Sequence, residues 1–203
     1  MQVFVPYDAQ HPNTRLSPVL DATERRAFAT AMLGDVLDAV RTAGHDPEVL
    51  ATAPIDRDCP VTVDEQPLTE AVNSVLSGTD GPVAVLMADL ALATAESVET
   101  LLDSEGEVVL APGLGGGTNA LVSRHPEFRV DYHQISYRKH RERARECNAS
   151  VGTVDSFRLA LDVDEPSDLP EVLLHGDGRA SEWLREAGFR LDTTDGRCVV
   201  TRE

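Results

Sequence analysis

Residues 81–89, GPVAVLMAD, run apolar without alternation and end on an acid. A strand with one solvated face alternates apolar and polar side chains, so an unbroken run marks a strand covered on both sides. With strands and helices alternating through the first half of the chain, this predicts layers of helix around a mainly parallel sheet, an α/β architecture with helices on both faces. The neighbouring segments agree. QVFVP (2–6) reads as an opening strand, EVLATA (48–53) as a second and EVVLAP (107–112) as a later one. Between them, Asp21 with Glu24 three residues on has the form of a capping box. It opens a helix whose mainly apolar face carries Ala27, Phe28, Ala31, Met32, Asp35, Val36 and Val40 and which Gly44 stops. PLTEAVNSVL (67–76) and AESVETLLDS (95–104) read as further helices. Beyond the glycine turn, the sequence predicts a polar, arginine-rich helix from Ser136, a strand over 158–164 (RLALDVD) and a helix over 166–176. It closes with a helix and a hairpin turned at Asp195 and Gly196. No repeat or shift in composition marks a boundary, so one domain is expected over 1–203, with a core over 1–176 and an extension over 177–203.

Charge narrows the partners. Asp and Glu number 35 against 18 Lys and Arg, a net charge of −17, and the single lysine is Lys139. Such a surface offers nothing basic for nucleic acid. It fits a protein kept soluble in concentrated salt, where self-repulsion is screened; an ordinary acidic protein is the alternative. No apolar stretch approaches the ~20 residues of a membrane span, and the N-terminus lacks a signal pattern. Cys59, Cys147 and Cys198 lack CxxC spacing, which points to reduced thiols in a cytoplasm and away from zinc.

The chemistry concentrates at strand ends. APGLGGGTNAL (111–121) packs Gly115, Gly116 and Gly117 ahead of Thr118 and Asn119. Bare backbone of this kind lets a phosphate approach N–H groups closely, and it equally suits a plain flexible turn. A P-loop is excluded because no lysine follows the glycines, and a dinucleotide fingerprint because Thr118 replaces its last glycine. In open α/β sheets ligands gather beyond the carboxyl ends of strands. Asp89 stands at one such end, and Asp162 and Asp164 at the end of the strand expected over 158–164, where positions i and i+2 share a face. Three carboxylates so placed suit a hard cation such as Mg²⁺ beside substrate phosphates. Arg15, between the first strand and first helix, adds a fork matched to phosphate. Together these features point to transfer of a phosphorus centre by positioning and charge neutralisation.

Five ordered blocks, TRLSPVL with ATERRAFATAMLGDVL, MADL, APGLGGGTNAL, SYRKH and LALDVDEPSDLPEVLLHG, resemble those of the 2-phospho-L-lactate guanylyltransferases across residues 2–176. The resemblance is to a haloarchaeal form of a family within the molybdopterin-guanylyl and sugar-phosphate nucleotidyltransferase superfamily. It implies a nucleotide-diphospho-sugar transferase-like α/β domain, often dimeric. It also implies a reaction that joins GMP from GTP to 2-phospho-L-lactate, or to phosphoenolpyruvate, with release of pyrophosphate, on the route to coenzyme F-420. By the same resemblance, Asp89 is the first metal aspartate and Asp162 and Asp164 the paired second acids. Thr118 and Ser136 match the hydroxyls that hold the three-carbon acid, with Gly116, Gly117 and Asn119 in the same cradle, and Arg15 matches the arginine of the nucleotide-phosphate loop. Asn13 stands where relatives often carry lysine, Thr69 where they have asparagine and His133 where they have glycine. A related nucleotidyltransferase with another phosphorylated acceptor, or a non-catalytic nucleotide-binding protein, are the other classes these residues admit.

Overall fold

A computed structural model of the protein describes residues 1–193, 196 and 198–202. Its main sheet contains β1 (Gln2–Tyr7), β2 (Pro47–Ala51), β3 (Val61–Val63), β4 (Val83–Leu86), β5 (Val108–Pro112), β6 (Thr118–Ser123) and β7 (Val151–Thr153) in the order β3-β2-β1-β4-β6-β5-β7. β1 pairs parallel with β2 and β4, β2 with β3, and β5 with β7, while β6 runs antiparallel to both β4 and β5.

Both faces are covered, as the run at 81–89 requires. Alternate residues of β4 divide between two cores. Ala84 and Leu86 join α1 (Ala22–Thr42), α3 (Ala95–Asp103), α6 (Leu169–His175) and α7 (Arg179–Glu186) on one side. Val83 and Val85 join α2 (Leu68–Gly78) and α4 (Ser136–Glu146) on the other. The expected capping box is present: the Asp21 carboxylate accepts from Thr23 and Glu24 N–H groups, and Glu24 accepts from Asp21 N–H.

The strand expected over 158–164 does not form. Phe157–Ala160 is a single helical turn, α5, and residues 161–164 follow as irregular chain. The alternating leucines imitate a strand, but the carbonyl of Ala160 accepts from Leu114 N–H and from the Asn119 amide rather than from a ladder. β3, β6 and β7 were not expected. In the tail, α7 precedes a hairpin of β8 (Phe189–Asp192) and β9 (Val199–Arg202). The expected turn at Asp195 lies outside the described residues, although Gly196 has φ +76°.

Asp35, an acid on the apolar face of α1, finds its reason here. One carboxylate oxygen accepts from Arg179 N–H at 2.7 Å and the other from Ala180 N–H at 2.9 Å. It thus caps α7, whose own N-cap position is Gly178 with no side chain to offer. A cap of this kind contributes about 1 kcal/mol. Asp35→Ala is expected to lower Tm by about 2–4 °C, with Asp35→Asn in between, read by thermal melting. An unchanged melt would dissociate this contact from the docking of α7.

Candidate active site

The parallel strands β1, β2, β3 and β4 end at one edge of the sheet, and the antiparallel β6 begins there. At that edge lies a cleft of about 610 Å³, bounded by Tyr7 at the end of β1 with Asp8 and Asn13 beyond it, by Leu50 and Thr52 around the end of β2, and by residues 64–68 after β3. Met87, Asp89 and Asp164 complete its wall. Two of the expected acids therefore face one cavity, and Asp162 stands beside it.

Asp89 is the most perturbed of the three. Its Oδ1 is shut off from solvent and has no hydrogen-bond partner. Burial first, then the charges of Asp162 and Asp164, push its carboxyl up to about 7. Two main-chain bonds hold the surrounding chain in place: the carbonyl of Asp89 accepts from Ala91 N–H at 2.9 Å and from Val163 N–H at 3.2 Å. The irregular segment 161–164 is thereby tied to the end of β4.

Side chains from other elements tie the same segment. Asn13, in a left-handed conformation with φ +47°, donates its amide to the carbonyl of Val163 at 2.9 Å. Where relatives were expected to carry a phosphate-seeking lysine, this chain has a brace between two loops. Arg15 pairs at 3.1 Å with Asp164 of the cleft wall, and its side chain is 66% exposed. Asp164 is shifted upward too, by burial first and with Arg15 opposing. Asn119 donates to Asp162 Oδ1 at 3.0 Å and to the carbonyl of Ala160 at 3.1 Å. Its amide thus positions an acid instead of standing open to a ligand. Among the described residues, no three acidic, histidine or cysteine side chains already form a metal centre. Asp162 turns to Asn119 and Asp164 to Arg15, as like charges do when each has a closer partner.

The glycine turn lies on the β5–β6 hairpin. Gly113 N–H donates to Gly117 O, Gly116 N–H to Gly113 O and Leu114 N–H to Ala160 O, leaving those of Gly115 and Gly117 as open donors. Gly116 has φ +82°, which a side chain would strain. A Cβ on Gly113 would come within 2.4 Å of Asn119 Oδ1, so bare backbone there makes room for the side chain that holds Asp162. Next to the turn, Thr118 and Ser136 are buried, their hydroxyls 3.5 Å apart. They lie beside the turn rather than along the cleft wall, and Asn119 in β6 is the bridge from one to the other.

Thr69 and His133 have structural partners. Thr69 Oγ1 accepts from Tyr132 N–H at 3.0 Å, joining α2 to the chain before α4. His133 is exposed and bonds Asp131. The residue that sequence reasoning passed over is His140, fully buried, with Nδ1 2.9 Å from Thr118 Oγ1. Ser136, His140 and Ala144 form the buried i, i+4, i+8 stripe of α4, and that spacing was the available signal.

A family model described as "Guanylyl transferase CofC like" matches residues 1–203. The chain belongs to this CofC-like family. A Halomicrobium mukohataei relative named 2-phospho-L-lactate guanylyltransferase is 61% identical over 202 residues, covering 100% of both chains. A Haloarcula marismortui relative of the same name is 58% identical, covering 100% of this chain and 99% of its own. Solved structures agree on the fold. A Desulfovibrio desulfuricans chain put forward as a nucleotide-diphospho-sugar transferase matches with a TM-score of 0.72 at 15% identity, covering 92% of this chain and 95% of that one. The CTP complex of CMP:2-keto-3-deoxy-manno-octonic acid synthetase matches with a TM-score of 0.56 at 14% identity, covering 84% and 95%. The CofC-like chain therefore has a nucleotide-diphospho-sugar transferase-like fold, and the two relatives named above come from haloarchaea, in keeping with its charge.

Proposed function

We propose that the protein joins GMP from GTP to the phosphate of 2-phospho-L-lactate, or of phosphoenolpyruvate, with release of pyrophosphate, on the route to coenzyme F-420. The observation that carries this reading is the full-length match to relatives named for the reaction, combined with an orphaned, charge-crowded Asp89 in the cleft. The cleft over β1–β4 takes the nucleotide, with Arg15, paired to Asp164 of its wall, for the phosphates. The turn at 113–117, with the N–H groups of Gly115 and Gly117 and the hydroxyls of Thr118 and Ser136, takes the phosphorylated acid.

Asp89, with Asp164 and Asp162, fits Mg²⁺: hard oxygen donors, one of them buried and unpartnered, in a site where burial and the charges of Asp162 and Asp164 push the Asp89 carboxyl upward. When bound, the ion supplies the charge neutralisation that lets two anions meet. The protein's own part is to orient. Asn119 and the main-chain tie from Asp89 to Val163 keep the acids beside the acceptor turn, so that an acceptor phosphate oxygen approaches the α-phosphorus in line. A phosphate monoester is already largely ionised at neutral pH, so no side chain is required as general base. The family resemblance supports a homodimer, and three scattered cysteines without CxxC spacing support a cytoplasmic setting.

The test is pyrophosphate release in molar KCl with Mg²⁺, GTP and either small acid. Turnover with one of them is expected. Turnover only with a sugar phosphate or molybdopterin would replace the acceptor, and GTP binding without release would end the enzymatic reading.

A further inference from the structure

We infer that His140 fixes the direction of the Thr118 hydroxyl, turning its proton outward to the phosphate of the three-carbon acid. This deepens the reading above and rests on it, since it takes Thr118 as part of the acceptor cradle.

The bond pattern sets the polarity step by step. The Asp131 carboxylate is gripped by Lys139 Nζ at 3.2 Å and Arg143 Nη2 at 3.1 Å, and it accepts from His133 N–H at 3.0 Å. Its own backbone N–H points at His140 Nε2 from 2.8 Å. A backbone N–H only donates, so Nε2 presents a lone pair and the neutral ring carries its proton on Nδ1. Nδ1 then donates to Thr118 Oγ1 at 2.9 Å. Ser136 Oγ stands 3.5 Å from the same oxygen, too long for a firm bond, which leaves its own proton for the acid. A hydroxyl has two lone pairs and one proton. With the ring N–H on one lone pair, the Thr118 proton is turned away from the ring, toward an acceptor outside this set.

The ring is held in that state. It is fully buried, and burial first, then Arg143, lowers its pKa to about 4, so it stays neutral at working pH. Tyr132 and Phe128 stand edge-on to it at 5.0 and 6.2 Å, which keeps it from turning over. With the opposite tautomer, Nδ1 would draw the Thr118 proton inward and leave lone pairs facing an anion. His140 is thus a positioning residue: it touches no substrate, and it makes a donor of a group that does.

Ring ¹⁵N NMR of the wild-type protein is expected to show His140 protonated on Nδ1; protonation on Nε2 would overturn the inference whatever the enzyme's activity. In steady-state assays, His140→Gln is expected to raise the KM for the small phosphorylated acid about tenfold or more and to leave the KM for GTP unchanged. His140→Asn, whose amide stands near the Nδ1 position, should recover most of that loss. Thr118→Val should give the same rise, and adding His140→Gln to it little more. Additive effects, or equal rises in both KM values, would reduce His140 to a packing role. Absent turnover of either acid by the wild type would sink the acceptor reading alone, because the ring spectrum still decides the tautomer.

Discussion

Asp89→Asn is expected to abolish turnover and, in the presence of EDTA, to make the protein harder to unfold above pH 7. The first effect follows from removing the innermost oxygen donor facing the cleft, where a metal's contribution of several kcal/mol corresponds to roughly 10³-fold or more in rate. The second follows from linkage. The folded carboxyl holds its proton up to about pH 7, against an ordinary value of 3.8. Between those limits the folded state binds more protons than the unfolded one, so stability falls as pH rises through the window and the loss is complete above pH 7. The amide cannot ionise and escapes that loss. Because Asp89 is only half-buried as a whole residue, the gain is expected at about 1–3 kcal/mol, or roughly 2–10 °C in Tm. Added Mg²⁺ should raise the Tm of the wild type and leave that of the variant where it was. Melts at pH 5 and pH 8, with and without Mg²⁺, decide it. A variant as active as the wild type, or one less stable than it at pH 8 in EDTA, would remove Asp89 from the proposed metal site.

Transfer from molar salt to about 10 mM KCl is expected to unfold the wild-type protein. The Debye length grows from about 3 Å at 1 M to about 30 Å at 0.01 M, so charges held apart by screening begin to repel across the whole surface. With a net charge of −17 that repulsion competes directly with a folding free energy of about 5–15 kcal/mol. The 18 basic side chains are already counted in that net charge, and many of the arginines also grip main-chain carbonyls. Arg124 donates to Gly106 O and Leu102 O, Arg129 to Pro126 O and Phe128 O, and Arg158 to His175 O. Those bonds need a fork of donors, which explains why arginine is used here where lysine is almost absent. Circular dichroism across a KCl series measures the transition, and NaCl should act alike. A spectrum unchanged at 10 mM would reject adaptation to salt.

Much of the architecture was legible because it rests on local signals. The unbroken apolar run of β4 demanded two covered faces, and the Asp21–Glu24 box marked the start of α1. Where the reading failed, the decisive partner was distant in the chain. RLALDVD has the alternation of a strand, yet its backbone bonds go to a turn and to an asparagine some 40 residues away. β6 was hidden behind the glycines that precede it, and β3 and β7 are three-residue pairings with no pattern of their own. At the candidate site, the acids were visible as acids, but Asn119 reads as a ligand group until its bond to Asp162 is seen. Asp35 and His140 were the least legible. Each is a polar residue whose purpose lies in one contact with another element.

The reversed strand β6 has a consequence for how such an enzyme changes over time. Everything proposed for the acceptor comes from one short hairpin and the helix after it, whereas the cleft proposed for the nucleotide is assembled from loops after β1, β2, β3 and β4. Residues 113–117 can be lengthened or reshaped without touching the loops after β1–β4, provided the ties of Leu114 and Asn119 to Ala160 and of Asn119 to Asp162 are kept.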